Sequence, residues 1–132
     1  MNDQYELFFD GCSKGNPGPA GAGAVLYKNN NELDAKSLFI GEKETNNVAE
    51  YTGLMIGLTM AIDNGIKELV IKGDSLLVIQ QMKGVYKVKC DHLAKLYGRV
   101  KELEKQFTRI EYQHVYRKEN KRADQLSNCS LP

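Results

Sequence analysis

Little in this sequence points to a thiolate metal centre, a disulfide framework or a polyelectrolyte surface. The three cysteines, Cys12, Cys90 and Cys129, are odd in number and match no zinc spacing, which suggests free thiols in a reducing compartment. Lysine and arginine number 18 against 17 acids. Net charge therefore gives no general argument for binding nucleic acid or membrane, and any charged partner must be handled locally. No basic leader followed by an apolar core opens the chain. The most apolar long stretch, Val48 to Ile62, is interrupted by Glu50 and is too short to span a bilayer. A cytoplasmic protein without membrane association is expected. Internal repeats, low-complexity tracts and linker-like segments are also missing. The 132 residues are expected to form one domain, 1–132, monomeric and without an obligate protein partner. That length suffices to bury roughly 65 to 70% of the unfolded surface around a single core.

What is present falls into an order of elements. Tyr5 to Phe9, Gly23 to Tyr27 and Leu33 to Ile40 read as three strands joined by short turns, the second being "KNNNE", which suits an antiparallel meander. From Val48 the period changes: Val48, Tyr51, Leu54, Met55, Leu58, Ala61 and Ile62 recur at the spacing of an amphipathic helix, stopped by Gly65. "IKELVIKGD" predicts a strand ending at Asp74, and "SLLVIQQMKG" a helix from Ser75 to Gly84. Leu93, Leu96, Val100, Leu103 and Phe107 mark a further helix, "RIEYQHVY" a last strand, and Asn120 to Asn128 a final short helix with Asn120 or a neighbour as its cap. A meander followed by strands alternating with helices implies an α/β fold with a mixed sheet, antiparallel at first and parallel afterwards. Sites in such sheets gather where strands end and the connectivity changes direction.

Four acids occupy such places. Asp10 follows "YELFF" at the mouth of a glycine-rich turn, Asp74 ends the strand "LVIKG", Glu50 lies in the first turn of an otherwise apolar helix face, and Asp124 lies early in the last helix. Each alone has an ordinary explanation: a turn residue for Asp10, a dipole-complementing acid for Glu50, a cap for Asp74 and a solvated residue for Asp124. Together they are harder to dismiss. Carboxylates converging on one sheet edge repel by about 4 kcal/mol for a pair ~4 Å apart at an effective dielectric of ~20, so something positive belongs between them. Oxygen ligands without histidine or cysteine select a hard cation, magnesium or manganese in preference to zinc. Two such ions ~3.5 to 4 Å apart form a common apparatus for in-line displacement at phosphorus.

The segments "DGCSKGNPGPAGAGAVL", "TNNVAEYTGLMIGLTMA", "IKGDSLLVIQQMKG" and "RKENKRADQLSN", in that order, resemble the four signature blocks of the type I ribonuclease H family. The resemblance extends from about Leu7 to Asn128, with one acid in its expected place in each block. It implies the RNase H-like fold, a five-stranded mixed sheet of three antiparallel strands and then two parallel ones, flanked by helices. It implies that Asp10, Glu50, Asp74 and Asp124 hold two Mg2+ ions, with Mn2+ as a substitute, and that the partner is an RNA/DNA hybrid. The implied reaction is endonucleolytic hydrolysis of the RNA strand, giving 5′-phosphate and 3′-hydroxyl ends. Gly11, Cys12, Asn16, Asn46, Asn47 and Gln80 resemble positions that touch sugars and base edges in the minor groove, where the 2′-hydroxyl distinguishes RNA from DNA. Lys43 and Thr45 fall where the family grips a phosphate of the DNA strand. The asparagine pair has an alternative role as helix cap, and Cys12 as a small buried residue.

Three features depart from the family pattern. Arg117, in "RKEN", stands where many members carry a mobile histidine. It cannot serve as a base at neutral pH, so its role is electrostatic; the nearby His114 belongs to the last strand. Leu76 replaces a polar substrate contact. The connection "VYKVKCDH" between Gly84 and Leu93 leaves no room for an inserted basic helix, and Lys83, Lys87, Lys89 and Lys95 offer at most a lesser patch on a solvated face. A non-catalytic hybrid-binding module would be expected to lose an acid. An integrase-like nuclease would lack "TNN" and "GNPGP", a structural phosphate-binding protein would not need four carboxylates, and a retroelement-derived domain remains an alternative.

Overall fold

The computed structural model describes residues 3–131. Three strands come first, β1 (Tyr5–Ser13), β2 (Gly18–Lys28) and β3 (Asn31–Glu44). Asn29 and Asn30 both take positive φ, 49° and 69°, and so supply the two-residue turn whose twist matches a β-hairpin. Helix α1 (Asn46–Asp63) follows, then β4 (Glu68–Gly73), α2 (Leu76–Met82), α3 (Asp91–Glu104), β5 (Arg109–His114), a 3-10 turn (Arg117–Glu119) and α4 (Lys121–Cys129). The strands form one sheet in the order β3-β2-β1-β4-β5. β1 pairs antiparallel with β2, and β2 with β3; β4 pairs parallel with both β1 and β5. This is the mixed sheet expected from the order of elements.

Alternation along β1 sends Leu7 and Phe9 to one face and Phe8 to the other. The first face carries the main core, in which Leu7, Phe9 and Ile71 from the sheet meet Tyr51, Leu54 and Leu58 of α1, Ile79 of α2 and Val100 of α3. Each such side chain, fully buried, contributes about 1.5 to 3 kcal/mol. Inside this layer the Tyr51 hydroxyl donates to Gln81 Oε1 at 2.6 Å, tying α1 to α2. The second face is covered only locally, where Ala123 and Leu126 of α4 pack on Val25 beside Phe8 and Tyr27.

Several local expectations shift. β1 runs on to Ser13, so Asp10 lies within a strand, and the glycine-rich segment after Pro17 is strand β2 and not a turn. Those glycines serve packing: a Cβ on Gly23 would stand 2.7 Å from the Ala123 carbonyl oxygen of α4. Glu50 is the fifth residue of α1, beyond its first turn, so the dipole explanation fails. Thr45, and neither Asn46 nor Asn47, caps α1, its Oγ1 accepting from Val48 N at 3.2 Å. Likewise Ser75 caps α2 through Oγ, 3.3 Å from Val78 N, which frees Asp74 from capping. α3 stops at Glu104, short of Phe107, and β5 stops at His114. Asn120 occupies the cap position of α4, but its side chain makes no cap hydrogen bond.

Candidate active site

Sheet register assembles the acids. The last parallel pair between β1 and β4 is Phe9 with Gly73, so Asp10, the next residue on β1, and Asp74, the residue just beyond β4, continue two adjacent strands. They lie at the middle of the sheet and not at its edge, where the antiparallel half meets the parallel half, the kind of junction at which α/β sheets build their sites. Glu50 joins from α1 because the helix can approach β1 without obstruction. A Cβ on Gly11 would stand 2.1 Å from Ala49 C and 2.2 Å from Glu50 N, and one on Gly53 would stand 2.4 Å from the Asp10 carbonyl oxygen. These two glycines let helix backbone rest on strand backbone and deliver the Glu50 carboxyl to Asp10.

Asp10, Glu50 and Asp74 each place a carboxylate oxygen within 4.8 Å of the others. Asp124 is not part of that tight group. It stands alongside, close enough for its charge to raise the pKa of Asp74, with Oδ2 3.9 Å from an Arg117 guanidinium nitrogen and Oδ1 3.3 Å from Asn128 Nδ2. Burial, and then the Asp74 charge, push the Asp10 carboxyl up from 3.8 to about 7. Glu50 is held well above the usual carboxylate range by burial first and then by the charges of Asp10 and Asp74. Asp74 is raised by burial, against the pull of a hydrogen bond from Asn120. Gly11 N donates to Asp10 Oδ1 at 2.9 Å, yet Glu50 Oε1 is buried with no hydrogen-bond partner among the described residues. A buried carboxylate oxygen without a donor among carboxylates that resist ionisation is a site short of positive charge. The donor set, oxygen throughout, fits a hard divalent cation.

Most of the predicted substrate residues lie on β1, in the β1–β2 turn or where β3 leads into α1, and Gln80 lies apart in sequence on α2. Gly11 and Cys12 are on β1, Asn16 is in the β1–β2 turn, Lys43 is near the end of β3, and Thr45, Asn46 and Asn47 open α1. Asn46 Oδ1 accepts from Ser13 N at 2.8 Å, and Asn16 Oδ1 accepts from Asn46 N at 2.9 Å. The turn is thus stitched to the helix start. Both exposed asparagines commit their oxygens to the protein, leaving their NH2 groups without a partner among the described residues. Cys12 is half-buried, its Sγ 3.6 Å from Asn128 Oδ1, and burial followed by the charges of Asp10 and Asp124 raises its thiol pKa. Gln80 is half-buried on α2. Arg117 is 81% exposed, and Leu76 is exposed at 46%. Lys83, Lys87, Lys89 and Lys95 are exposed, and residues 84–90 form no helix. Sequence reasoning missed Asn120, whose side chain reaches the cluster, and Asn128, which bonds both Asp124 and Cys12. In the sequence Asn120 reads only as a helix cap, and Asn128 carries no signal beyond its place in the short polar helix α4.

A family model described as reverse transcriptase-like matches residues 8–130. The ribonuclease H of Pseudomonas savastanoi pv. phaseolicola is 35% identical over 144 aligned positions, covering 97% of this chain and 93% of that protein. The chain belongs to the ribonuclease H family. Among solved ribonucleases H, LC11-RNase H1 in complex with an RNA/DNA hybrid superposes with a TM-score of 0.92 at 34% identity, covering 97% of this chain and 96% of that one. The bifunctional protein Rv2228c of Mycobacterium tuberculosis is 47% identical over 123 residues, which are 92% of this chain and 34% of that protein. The chain thus spans about a third of the length of this mycobacterial relative. Among the described residues no helix is long and apolar enough to cross a membrane.

Proposed function

We propose that this ribonuclease H family member is an endonuclease that hydrolyses the RNA strand of RNA/DNA hybrids, with Mg2+ as its cofactor and Mn2+ as a substitute, leaving 5′-phosphate and 3′-hydroxyl ends. The observation that carries the reading is the convergence of Asp10, Glu50 and Asp74, with the buried Glu50 Oε1 left without a hydrogen-bond partner among the described residues. Asp10, Glu50, Asp74 and, from the neighbouring helix, Asp124 would hold two divalent ions. When bound, the ions would supply water activation on one side of the phosphate and charge stabilisation of the departing 3′ oxygen on the other.

The chain's own residues do the rest. Asp10 shares the cluster with Glu50 and Asp74, and a hydrogen bond donated by Gly11 N fixes one of its carboxylate oxygens. Asp124, tethered by Asn128 and facing Arg117, completes the acidic set from α4. Arg117, a guanidinium beside Asp124, serves the departing or product phosphate electrostatically. The NH2 groups of Asn16 and Asn46 suit acceptors in the minor groove, as do Gly11, Cys12, Asn47 and Gln80 around them, and 2′-hydroxyls there tell RNA from DNA. Lys43 and Thr45 suit a DNA-strand phosphate. With no basic helix in the α2–α3 connection, this is the form lacking a basic protrusion, acting as a monomer. Cleavage of a labelled hybrid beside matched duplex RNA and duplex DNA, with and without Mg2+, tests the reading. RNA-strand cleavage confined to the hybrid and dependent on the ion is expected; full activity in Asp10→Asn would overturn it.

A further inference from the structure

Asn120 is 1% exposed and lies between Arg117 and Asp124 in the chain. Three hydrogen bonds pass through it. Its backbone NH donates to the Arg117 carbonyl at 3.0 Å, and its carbonyl accepts from Asp124 N at 3.0 Å. Its side-chain Nδ2 donates to the Phe9 carbonyl at 2.9 Å, spanning 111 positions of sequence to reach the residue before Asp10. The Asn120 side chain also stands close enough to Asp74 to offset part of the rise that burial gives its carboxyl. One side chain therefore joins the backbone that carries Arg117 and Asp124 to the strand that carries Asp10.

Helix capping does not account for it, since the side chain makes no cap hydrogen bond. Nor does packing. Asn120 Oδ1 is buried without a partner among the described residues, a condition that costs about 1 to 3 kcal/mol and that a leucine of similar shape would avoid. What only the amide supplies is donation to the Phe9 carbonyl. We propose that Asn120 is a positioning residue of the cation site, pinning the start of α4 to the Phe9 carbonyl and so fixing where Asp124 and Arg117 stand relative to Asp10 and Asp74. The inference rests on the reading of the carboxylates as a cation site.

Calorimetric titration with Mn2+ alone, on the full chain, tests it in wild type, Asn120→Leu and Asn120→Ala. Outer-shell partners of metal ligands typically set affinity by about 10- to 100-fold. Both variants are expected to bind Mn2+ at least about tenfold more weakly and to lose kcat on a hybrid with KM unchanged, while Asn120→Leu melts in EDTA at or above the wild-type temperature. Equal Mn2+ affinity in wild type and in either folded variant overturns the role given to Asn120. Failure of both variants to fold overturns it too, since the residue is then structural. Absence of Mn2+ binding by the wild type instead overturns the cation site itself.

Discussion

Replacing Asp10 by asparagine removes one charge from a cluster that lacks its counterion, and the consequence for stability can be worked out. The carboxyl titrates near 3.8 when unfolded and is pushed to about 7 in the folded, metal-free protein, first by burial and then by the Asp74 charge. Below about 3.8 both states are protonated and the group costs nothing. Between about 4 and 7 the folded state holds a proton that the unfolded state releases, so stability falls as pH rises; above about 7 the loss is complete. At about 1.4 kcal/mol per pKa unit the full loss is about 4 kcal/mol. Asparagine keeps the oxygen that accepts from Gly11 N and has nothing to ionise. Because Glu50 shares the proton equilibrium of the site, the recovery should be about 2 to 4 kcal/mol. For a chain of this length that is about 7 to 14 °C in Tm. The assay is thermal unfolding by circular dichroism in EDTA from pH 4 to pH 8, for wild type and Asp10→Asn. The variant should melt higher at pH 8, with the gap closing toward pH 4, and Mg2+ should raise the wild type more than the variant. A gap independent of pH, or a less stable variant at pH 8, would refute the account of the cluster as repelling carboxylates.

Gly11→Ala forces a methyl against the α1 backbone, so it should destabilise by about 1 to 3 kcal/mol or more in urea unfolding and lower activity by displacing Glu50; a wild-type midpoint would contradict the close approach. Arg117→Ala should lower kcat far more than it alters KM, with Arg117→Lys recovering part and the melting temperature unchanged, because the side chain is 81% exposed. An unchanged turnover number would return Arg117 to the solvated surface. Binding of a hybrid of about a dozen base pairs by Asp10→Asn should be weak, and its log affinity should fall only shallowly with log salt, since each phosphate neutralised adds about 0.9 to that slope. A slope matching six or more contacts would show that Lys83, Lys87, Lys89 and Lys95 form a working handle.

The order of elements was legible in the sequence because periodicity is a local property. The 3.6-residue recurrence from Val48 and the β-branched run before Asp74 each report a face to be buried, whatever they are buried against. Asp10, Glu50 and Asp74, which the structure brings together, stood out in the sequence only as a set with Asp124, one acid in each family-like block, because each alone has an ordinary explanation. The residue types of the four acids also limited the chemistry, since a set of carboxylates alone favours a hard cation wherever the chain brings it together. Which acids meet was a different matter. The register of Phe9 with Gly73 made Asp10 and Asp74 neighbours, and the bare Gly11 let Glu50 in from the opposite face, while Asp124 was left beside the group on α4. Caps were misassigned for a similar reason. Thr, Asn, Asp and Ser are near-equal candidates at a helix start, and only backbone geometry chose Thr45 and Ser75 and released Asp74 and Asn120 for the site. Sequence determined the elements and the supply of charge, which depend on neighbours along the chain. Tertiary structure decided the spacing of those charges, their protonation and the role of Asn120, which depend on burial and on contacts between residues as far apart as Phe9 and Asn120.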